Sequence, residues 1–465
     1  MVTVHIENAL AERIGPEYGL SRDEIRGLMG CRPASVITAR KRGADRPAFT
    51  YSAEQTEAQL DALIAECREF EKQFPKGLRD VVILGIGGSA LGARALKAAL
   101  LHPFHDMLPA DLRPKPRLHV LDNVDPAQAA GLLDVLEPAT TGLIAISKAG
   151  GTAETVAGFA VARKWLVDAG LRWQSQSFII TNEPAPEGRT TLLWDLAERE
   201  GIRRMGMPIL LGGRYSVLSP VGLVPAALAG LDAKALVAGA ACMYGRCEST
   251  DPWANPAFLL AAVCHQYLIH PKHPRNVCVL MPYSSALSYM ADWFIQLWAE
   301  SLGKAKNLKG ALVNAGQTPV RAVGATDQHS QLQLFQEGPH DKVILFVEVG
   351  KYGRDVEIPP ALPGEPEYLA GKTLGKLLSA EKRGTEFALS DAQRPNVTIH
   401  VPAISEKSIG ELFFLFWMQT AIMAELMGIN AFDQPGVEAS KNATRALMGA
   451  PGGDYDALRS RMGVE

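Results

Sequence analysis

The strongest constraint on the fold is a repeating order of short apolar runs, polar breaks and helical stretches. Leu78-Arg-Asp-Val-Val-Ile-Leu84 is largely apolar and stops at Gly85, as a buried strand does. Similar runs follow at Arg117–Leu121, Gly142–Ser147, Ser177–Thr181 and Met207–Leu211, with helical stretches at Ser89–Leu100, Thr152–Asp168 and Thr191–Gly201 between them. This alternation predicts a parallel sheet covered by helices on both faces. The pattern then recurs. A helix-rich connection, Leu223–Ile269, ends in His270-Pro-Lys-His-Pro274, and strands are predicted at Val277–Pro282, Val320–Val323, Lys342–Val347 and Val397–Val401. A long helix over Glu406–Met427 comes next, and a short one with Pro435 in its first turn runs towards Met448. The expected class is α/β, with two doubly wound parallel-sheet domains. Residues 1–60 read as charged and helical, with Ser21-Arg-Asp-Glu24 a capping box.

Length supports the division, because 465 residues exceed one ordinary core. A net charge of −3 excludes a general nucleic-acid binder. Cys31, Cys67, Cys242, Cys247, Cys264 and Cys278 are scattered without a C-x-x-C pair, which fits a reducing, cytoplasmic setting. The opening Met-Val-Thr-Val-His-Ile-Glu-Asn has no secretory signal pattern. The most apolar stretches, Val221–Leu231 and Leu412–Leu426, are short, and the second carries Gln419 and Glu425. Neither reads as a membrane span.

Ligands of doubly wound sheets bind beyond the carboxyl ends of the strands. There the first run ends in Gly85-Ile-Gly-Gly-Ser89-Ala-Leu-Gly92, where glycines admit a ligand to the backbone and a helix N-terminus offers free N–H groups. Gly85-x-Gly87-x-x-Ala90 also matches a relaxed dinucleotide fingerprint, with Asp122 a candidate ribose acid. However, Asp122 lies well beyond the roughly 20 residues expected of that acid. A plain strand-to-helix turn is the remaining alternative. The third run ends in Ser147-Lys-Ala-Gly-Gly-Thr-Ala-Glu-Thr155. Thr152 is a natural N-cap, which accounts for Thr152 but not for Ser147 and Lys148. Hydroxyls, backbone N–H groups and one cation together suit a phosphate monoester. The fifth run leads into Leu211-Gly-Gly-Arg-Tyr-Ser216, where Arg214 stands on irregular backbone, available to an oxyanion or to a salt bridge.

The stretch Asp292–Lys304 reads as a helix. Leu287, Met290, Phe294, Leu297 and Ser301 form one buried stripe, and Tyr289, Trp293, Gln296 and Glu300 form a second line. A carboxylate beside aromatic surface is one way to tune a general base; the plain alternative is an exposed pair of Glu300 with Lys304. His329, in Thr326-Asp-Gln-His-Ser330, could shuttle protons or simply be solvated. Gln434 and Lys441 are seven apart on the last helix and could face one site. Cys264-His265, His270 and His273 hint at a metal, but prolines and missing carboxylates favour a loop, and no metal site is assigned.

Together these segments, in this order over residues 85–441, resemble the phosphoglucose isomerase family. The resemblance implies two flavodoxin-like sugar-isomerase domains, at 61–230 and 231–430. Residues 1–60 would pack on the second, and a C-terminal helical arm would span 431–465. It also implies a cofactor-independent interconversion of glucose 6-phosphate and fructose 6-phosphate by a cytoplasmic homodimer, with no nucleic-acid or membrane partner. Ser147, Lys148 and Thr152 would hold the phosphate, with Gly88, Ser89 and Gln296 close by, and Gln434 would join the site. Glu300 would carry the proton between C2 and C1, and Arg214 would stabilise the enediolate. His329, reaching across from the other subunit, would open the ring with Lys441. The chemistry agrees, since an aldose–ketose shift needs a base on carbon, a cation for the enediolate and an acid–base pair for the hemiacetal.

Two positions depart from the family pattern: Ala149 and Gly151 stand where hydroxyl residues are common. Weaker phosphate affinity or some compensating contact follows, and a site less tied to phosphate could extend its specificity to mannose 6-phosphate. A nicotinamide-dependent dehydrogenase using the Gly85 loop, and a non-catalytic sugar-phosphate sensor, are the other readings. Sensors of that kind lack the catalytic glutamate, which is present here as Glu300.

Overall fold

In the computed structural model residues 1–30, 36 and 47–464 are described, so Cys31 and part of the expected N-terminal helical segment lie outside the described residues. Two five-stranded sheets organise the chain. The first holds β2 (Asp80–Leu84), β3 (Arg117–Leu121), β4 (Thr141–Ile146), β5 (Ser177–Asn182) and β6 (Arg203–Met207), all parallel, in the order β3-β2-β4-β5-β6. That order, 2-1-3-4-5, is flavodoxin-like, and its reversal falls between β2 and β4. Every residue of β2 and β4 is buried, which is why both read as apolar runs rather than as alternating ones.

The second sheet holds β7 (Val277–Pro282), β10 (Thr318–Arg321), β11 (Lys342–Lys351) and β12 (Asn396–Ala403) as parallel strands, with the reversal at β7. Its last edge differs from expectation. Thr3–His5 is a strand, β1, paired antiparallel to β12 through Thr3↔His400 and Val4↔Ile399, inside the segment read as helical. Three residues are too few to show strand periodicity. Another departure is a small hairpin of β8 (Lys304–Lys306) and β9 (Leu312–Ala315). The first sheet's last strand ends at Met207 rather than starting there, so Pro208–Leu211 is loop. Residues Thr318–Arg321, not Val320–Val323, form β10. The Ser21–Glu24 capping box is formed, with both reciprocal hydrogen bonds.

A layer of helices joins the sheets. The Glu406–Met427 helix is apolar on every side, and its middle is fully buried, as an all-round apolar helix must be. Ser405 and Ser408 cap its start, and Gly428 ends it in the left-handed region at φ 66°. It meets the Ala233–Cys247 helix at glycines: a Cβ on Gly239 would lie 1.9 Å from Lys407 O, and one on Gly410 1.9 Å from Leu236 O. Among the described residues it is the one helix long and apolar enough to cross a membrane, and it is a core helix here. Its buried polar side chains are each paired on one side: Gln419 donates to Cys264 Sγ, and Glu411 Oε2 accepts from Val2 N.

Candidate active site

The site begins at the reversal of the first sheet. The β2 loop turns at Gly87, whose φ of 57° suits glycine, and continues into a tight turn over Gly87–Ser89. Gly88 lies flat on the backbone of another loop, since a Cβ there would be 2.3 Å from Gly213 C and 2.8 Å from Arg214 N. A Cβ on Gly87 would meet Gln296 Nε2 at 2.7 Å. These glycines therefore dock the β2 loop against both the Gly212–Ser216 segment and the Ser288–Leu302 helix.

The β4 loop supplies hydroxyls. Ser147 is buried, and its Oγ lies 2.8 Å from Thr152 Oγ1. Thr152 occupies the N-cap position of the Ala153–Asp168 helix without capping it, because its hydroxyl faces Ser147 instead of the helix N–H groups. The helix start thus keeps its N–H groups for a ligand. Burial, and then the nearby Arg214 charge, push the Lys148 amine below the usual lysine value, so two cations face the same region.

Arg214 is the nexus. Its side chain is buried, with Nε donating to Ser301 Oγ at 2.7 Å and Nη2 to Ala431 O at 2.5 Å and Asp433 O at 3.0 Å. Nη1 reaches Gln434 Oε1 and, at 3.5 Å, Glu300 Oε2. The guanidinium is not free on its loop, as its irregular surroundings suggest, but binds the Ser288–Leu302 helix to the start of the C-terminal segment. Trp417 Nε1 holds Arg214 O at 3.1 Å, and the Tyr215 hydroxyl lies 3.0 Å from Ser301 Oγ.

The Ser288–Leu302 helix carries the carboxylate. Its apolar stripe, Leu287, Met290, Phe294, Leu297 and Ser301, is buried, leaving Gln296 and Glu300 at the site. Gln296 Nε2 donates to Glu300 Oε1 at 3.1 Å, so each carboxylate oxygen has a different partner, the amide or Arg214. The alternative, an exposed Glu300–Lys304 ion pair, does not form. Lys304 lies past the helix end, in β8, where its Nζ donates to Glu300 O at 2.6 Å and Asp433 O at 2.8 Å. Burial, and then Arg214, lower its affinity for a proton. Ser301 and Lys304 act here in ways the sequence reading missed. A hydroxyl inside an otherwise apolar stripe was the available signal for Ser301.

Two candidate residues stand apart. His329 ends a short turn, Thr326–His329, and is exposed, while Asp327 orders the loop by accepting from Val323 N at 2.7 Å and Ser330 Oγ at 2.6 Å. Lys441 is exposed on the Glu438–Leu447 helix, where it pairs with Glu438 at 2.8 Å. Gln434 precedes that helix, separated from it by the Pro435–Val437 turn, so Gln434 and Lys441 do not share a helical face as expected. The chain by itself brings together Gly88, Ser89, Ser147, Lys148, Thr152, Arg214, Gln296, Glu300 and Gln434.

The competing features resolve differently. Asp122 pairs with Arg94 at 2.6 Å, so the acid proposed for a ribose is occupied. Cys264 and His265 lie within the Pro256–Leu268 helix, and among the described residues no cluster of His, Cys, Asp and Glu is suited to a metal. A cavity of about 680 Å³ lies elsewhere, beside β3 and lined by Arg94, Lys97, His105 and Tyr289. None of the candidate residues lines it, so position at the strand ends identifies the site better than size does.

Two flavodoxin-like sheets, with hydroxyl and glycine loops at a sheet reversal and a carboxylate on the helix between, define a phosphosugar isomerase of the sugar-isomerase fold. The chain belongs to the phosphoglucose isomerase family, whose sequence model matches residues 38–352. It is 43% identical over 404 residues to a glucose-6-phosphate isomerase of Carboxydothermus hydrogenoformans, covering 86% of this chain and 84% of that one. It is 44% identical over 443 residues to a glucose-6-phosphate isomerase of Rubrobacter xylanophilus, covering 92% and 96%. A crystal structure of a hypothetical protein from Thermus thermophilus superposes with a TM-score of 0.79 at 35% identity, covering 97% of this chain and 100% of that chain. A glucose-6-phosphate isomerase of Chlamydia trachomatis, 20% identical, shares the fold at a TM-score of 0.75, covering 98% and 88%.

Proposed function

We propose that this protein interconverts glucose 6-phosphate and fructose 6-phosphate through an enediolate, serving glycolysis and gluconeogenesis in the cytoplasm. The observation that carries this reading is the Glu300 carboxylate fixed between Gln296 and Arg214, beside the Ser147–Thr152 loop. Ser147, Thr152 and Lys148 take the phosphate, with Ser89 and the N–H groups of the helix start. With the phosphate anchored there, Glu300 removes the proton at C2 of the open-chain sugar and returns it to C1. Charge then develops on the oxygens at C1 and C2, where Arg214 stabilises it. The C2 proton ends on C1 and the O2 hydroxyl proton ends on O1, with no net oxidation or reduction of the molecule, so the proposal involves no cofactor.

Ring opening needs an acid–base pair, assigned to His329 and Lys441. Both are exposed, His329 on a loop and Lys441 on the Glu438–Leu447 helix, where it pairs with Glu438. That supports a homodimer in which His329 serves the partner's site. The domain division at residues 61–230, 231–430 and 431–465 belongs to the same reading. Ala149 and Gly151 are exposed, and a Cβ on Gly151 would touch only Ala149 O, at 4.0 Å, so side-chain volume is available where two hydroxyls are missing. This favours a second, broader specificity that includes mannose 6-phosphate. Incubation with glucose 6-phosphate in D2O, followed by proton NMR, tests the reaction and the base together. The expected result is loss of the C2 proton signal alongside fructose 6-phosphate formation, both reduced about 10³-fold or more in Glu300→Gln. Full activity in that variant would remove Glu300 from the mechanism.

A further inference from the structure

The opposite end of the second sheet holds a cluster that the isomerase reading does not use. Arg275, His340 and Arg394 each lie two residues ahead of a strand, β7, β11 and β12 respectively. These strands are parallel neighbours; extended back, the register Lys342↔Val277 sets His340 beside Arg275, and Ile344↔Asn396 sets Arg394 beside Lys342, two residues further along. Tyr18 stacks on both His340 and His273, with centroids 4.5 and 4.7 Å away, and the two histidines lie 5.8 Å from each other. Arg275 is fully buried, lies over the Tyr267 ring at 5.6 Å, and donates through Nη1 to His273 O.

Three guanidinium nitrogens and the imidazole Nδ1 of His340 lack a partner here, against an unpaired acceptor nearby, Gln317 Oε1, whose Nε2 donates to Arg275 O at 2.7 Å. Arg275 Nε and Nη2, Arg394 Nε and His340 Nδ1 are buried atoms without a hydrogen-bond partner among the described residues. Acids nearby are few. Glu17 lies 3.7 Å from His273, and Asp341 pairs with Lys342 at 2.5 Å. Buried guanidinium donors without acceptors are unfavourable, and their number in one place calls for a shared acceptor. A single carboxylate would meet one guanidinium edge-on, whereas these donors come from three strands, which suits a tetrahedral anion with oxygens in several directions.

We propose that Arg275, Arg394 and His340 form an oxyanion site at the N-terminal ends of β7, β11 and β12, taking a small tetrahedral anion such as inorganic phosphate. The site lies at the strand ends opposite those that carry the sugar chemistry. Tyr18, His340 and Arg394 are partly exposed, so solutes meet the cluster from the surface. The histidines around it are set to respond. His340 is pushed down to about 4 by burial and then by the Arg394 and Arg275 charges, and an anion between them reverses the effect of those charges. His270 is lowered as well, first by burial and then by Arg275, with Glu24 opposing and Lys272 adding to the shift.

Crystals of the full chain grown without sulfate or phosphate and soaked in selenate test the proposal by anomalous scattering. The expected map shows selenium between Arg275 and Arg394 and a second peak at the Ser147–Thr152 loop. In Arg394→Gln the first peak is lost and the second stays, with isomerase kcat/KM unchanged. A peak only at the Ser147–Thr152 loop, or a strand-end peak that survives Arg394→Gln, overturns the proposal. In solution, histidine-labelled protein should show the His340 titration midpoint rising by about one unit or more with millimolar phosphate, and not moving in Arg394→Gln. A midpoint unmoved by phosphate in the parent protein overturns it equally.

Discussion

The two halves of the candidate site are built on different terms. Around Arg214 every contact is internal: the guanidinium, Ser301, Gln434 and the carbonyls of Ala431 and Asp433 hold one another, and Glu300 is fixed at their edge. Around His329 and Lys441 the side chains are exposed, and local order comes from neighbours such as Asp327, Gln328 and Glu438. The group that must meet a carbon-bound proton is positioned by the rigid part of the fold. The groups that open the ring are carried on a loop and a terminal helix, whose placement in the proposed mechanism depends on a second copy. Rigid elements hold reacting groups more finely than loops do.

The largest effect tests the internal half. Arg214→Lys keeps the charge but loses the planar five-donor fork, so one ammonium cannot replace the bonds to Ser301, Gln434, Ala431 O and Asp433 O. Steady-state kinetics should show kcat/KM lower by about 10³-fold, and denaturant melts a loss of about 3 kcal/mol. A variant within tenfold of the parent in activity would mean that the nexus is not what positions Glu300.

The next test addresses the exposed half. If His329 serves the partner's site, Glu300→Gln and His329→Ala lie in different sites of a mixed dimer: one site carries both lesions and the other neither. Each variant alone should be nearly inactive. Equal amounts unfolded and refolded together should recover about a quarter of the parent activity, because half of the dimers are mixed and one site of each works. No recovery would place His329 in its own chain's site and remove the contrast drawn above.

Much of this was legible in the sequence, for identifiable reasons. Buried parallel strands such as β2 and β4 are continuous apolar runs, and Gly88 cannot take a side chain without a clash with Gly213, so both left strong marks. Edges were less legible. β1 is three residues long and takes its conformation from β12, and β10 sits two residues from where its apolar centre suggests. Within the site, residue types were readable but partners were not. Lys304 is four residues from Glu300, the spacing of a helical ion pair, yet the helix stops at Leu302 and turns it towards Asp433. Thr152 looks like a cap and bonds Ser147 instead. Such choices are settled by segments far away in the chain, which local patterns do not record.

Lys304 and Lys441 allow a direct comparison of the halves with one kind of substitution. Lys304 is 7% exposed and its Nζ serves two carbonyls, so Lys304→Met leaves both without that donor. Denaturant unfolding should show a loss of about 2 kcal/mol. Lys441 has only the surface partner Glu438, and Lys441→Met should leave stability within about 0.5 kcal/mol while lowering kcat. Equal stability losses would show that the two lysines are not held on different terms.

The smallest effect bears on the phosphate end of the internal half. Ala149 is exposed directly after Lys148, and Gly151 is exposed beside Thr152, so the loop presents Ser147, Lys148 and Thr152 with two hydroxyl-free positions between them. A serine at 149 adds one donor to a phosphate already held by a cation and a helix start. Its net contribution should be about 1 kcal/mol, or roughly a fivefold lower KM for glucose 6-phosphate, with kcat unchanged. Such a uniform gain in binding is felt equally by substrate and transition state, which is why kcat does not move. Mannose 6-phosphate, offered to both proteins, sharpens the point: if weak phosphate anchoring widens specificity, its turnover relative to glucose 6-phosphate should fall in Ala149→Ser. Identical KM values in the two proteins would mean that backbone N–H groups at the Ala153–Asp168 helix start already satisfy the phosphate.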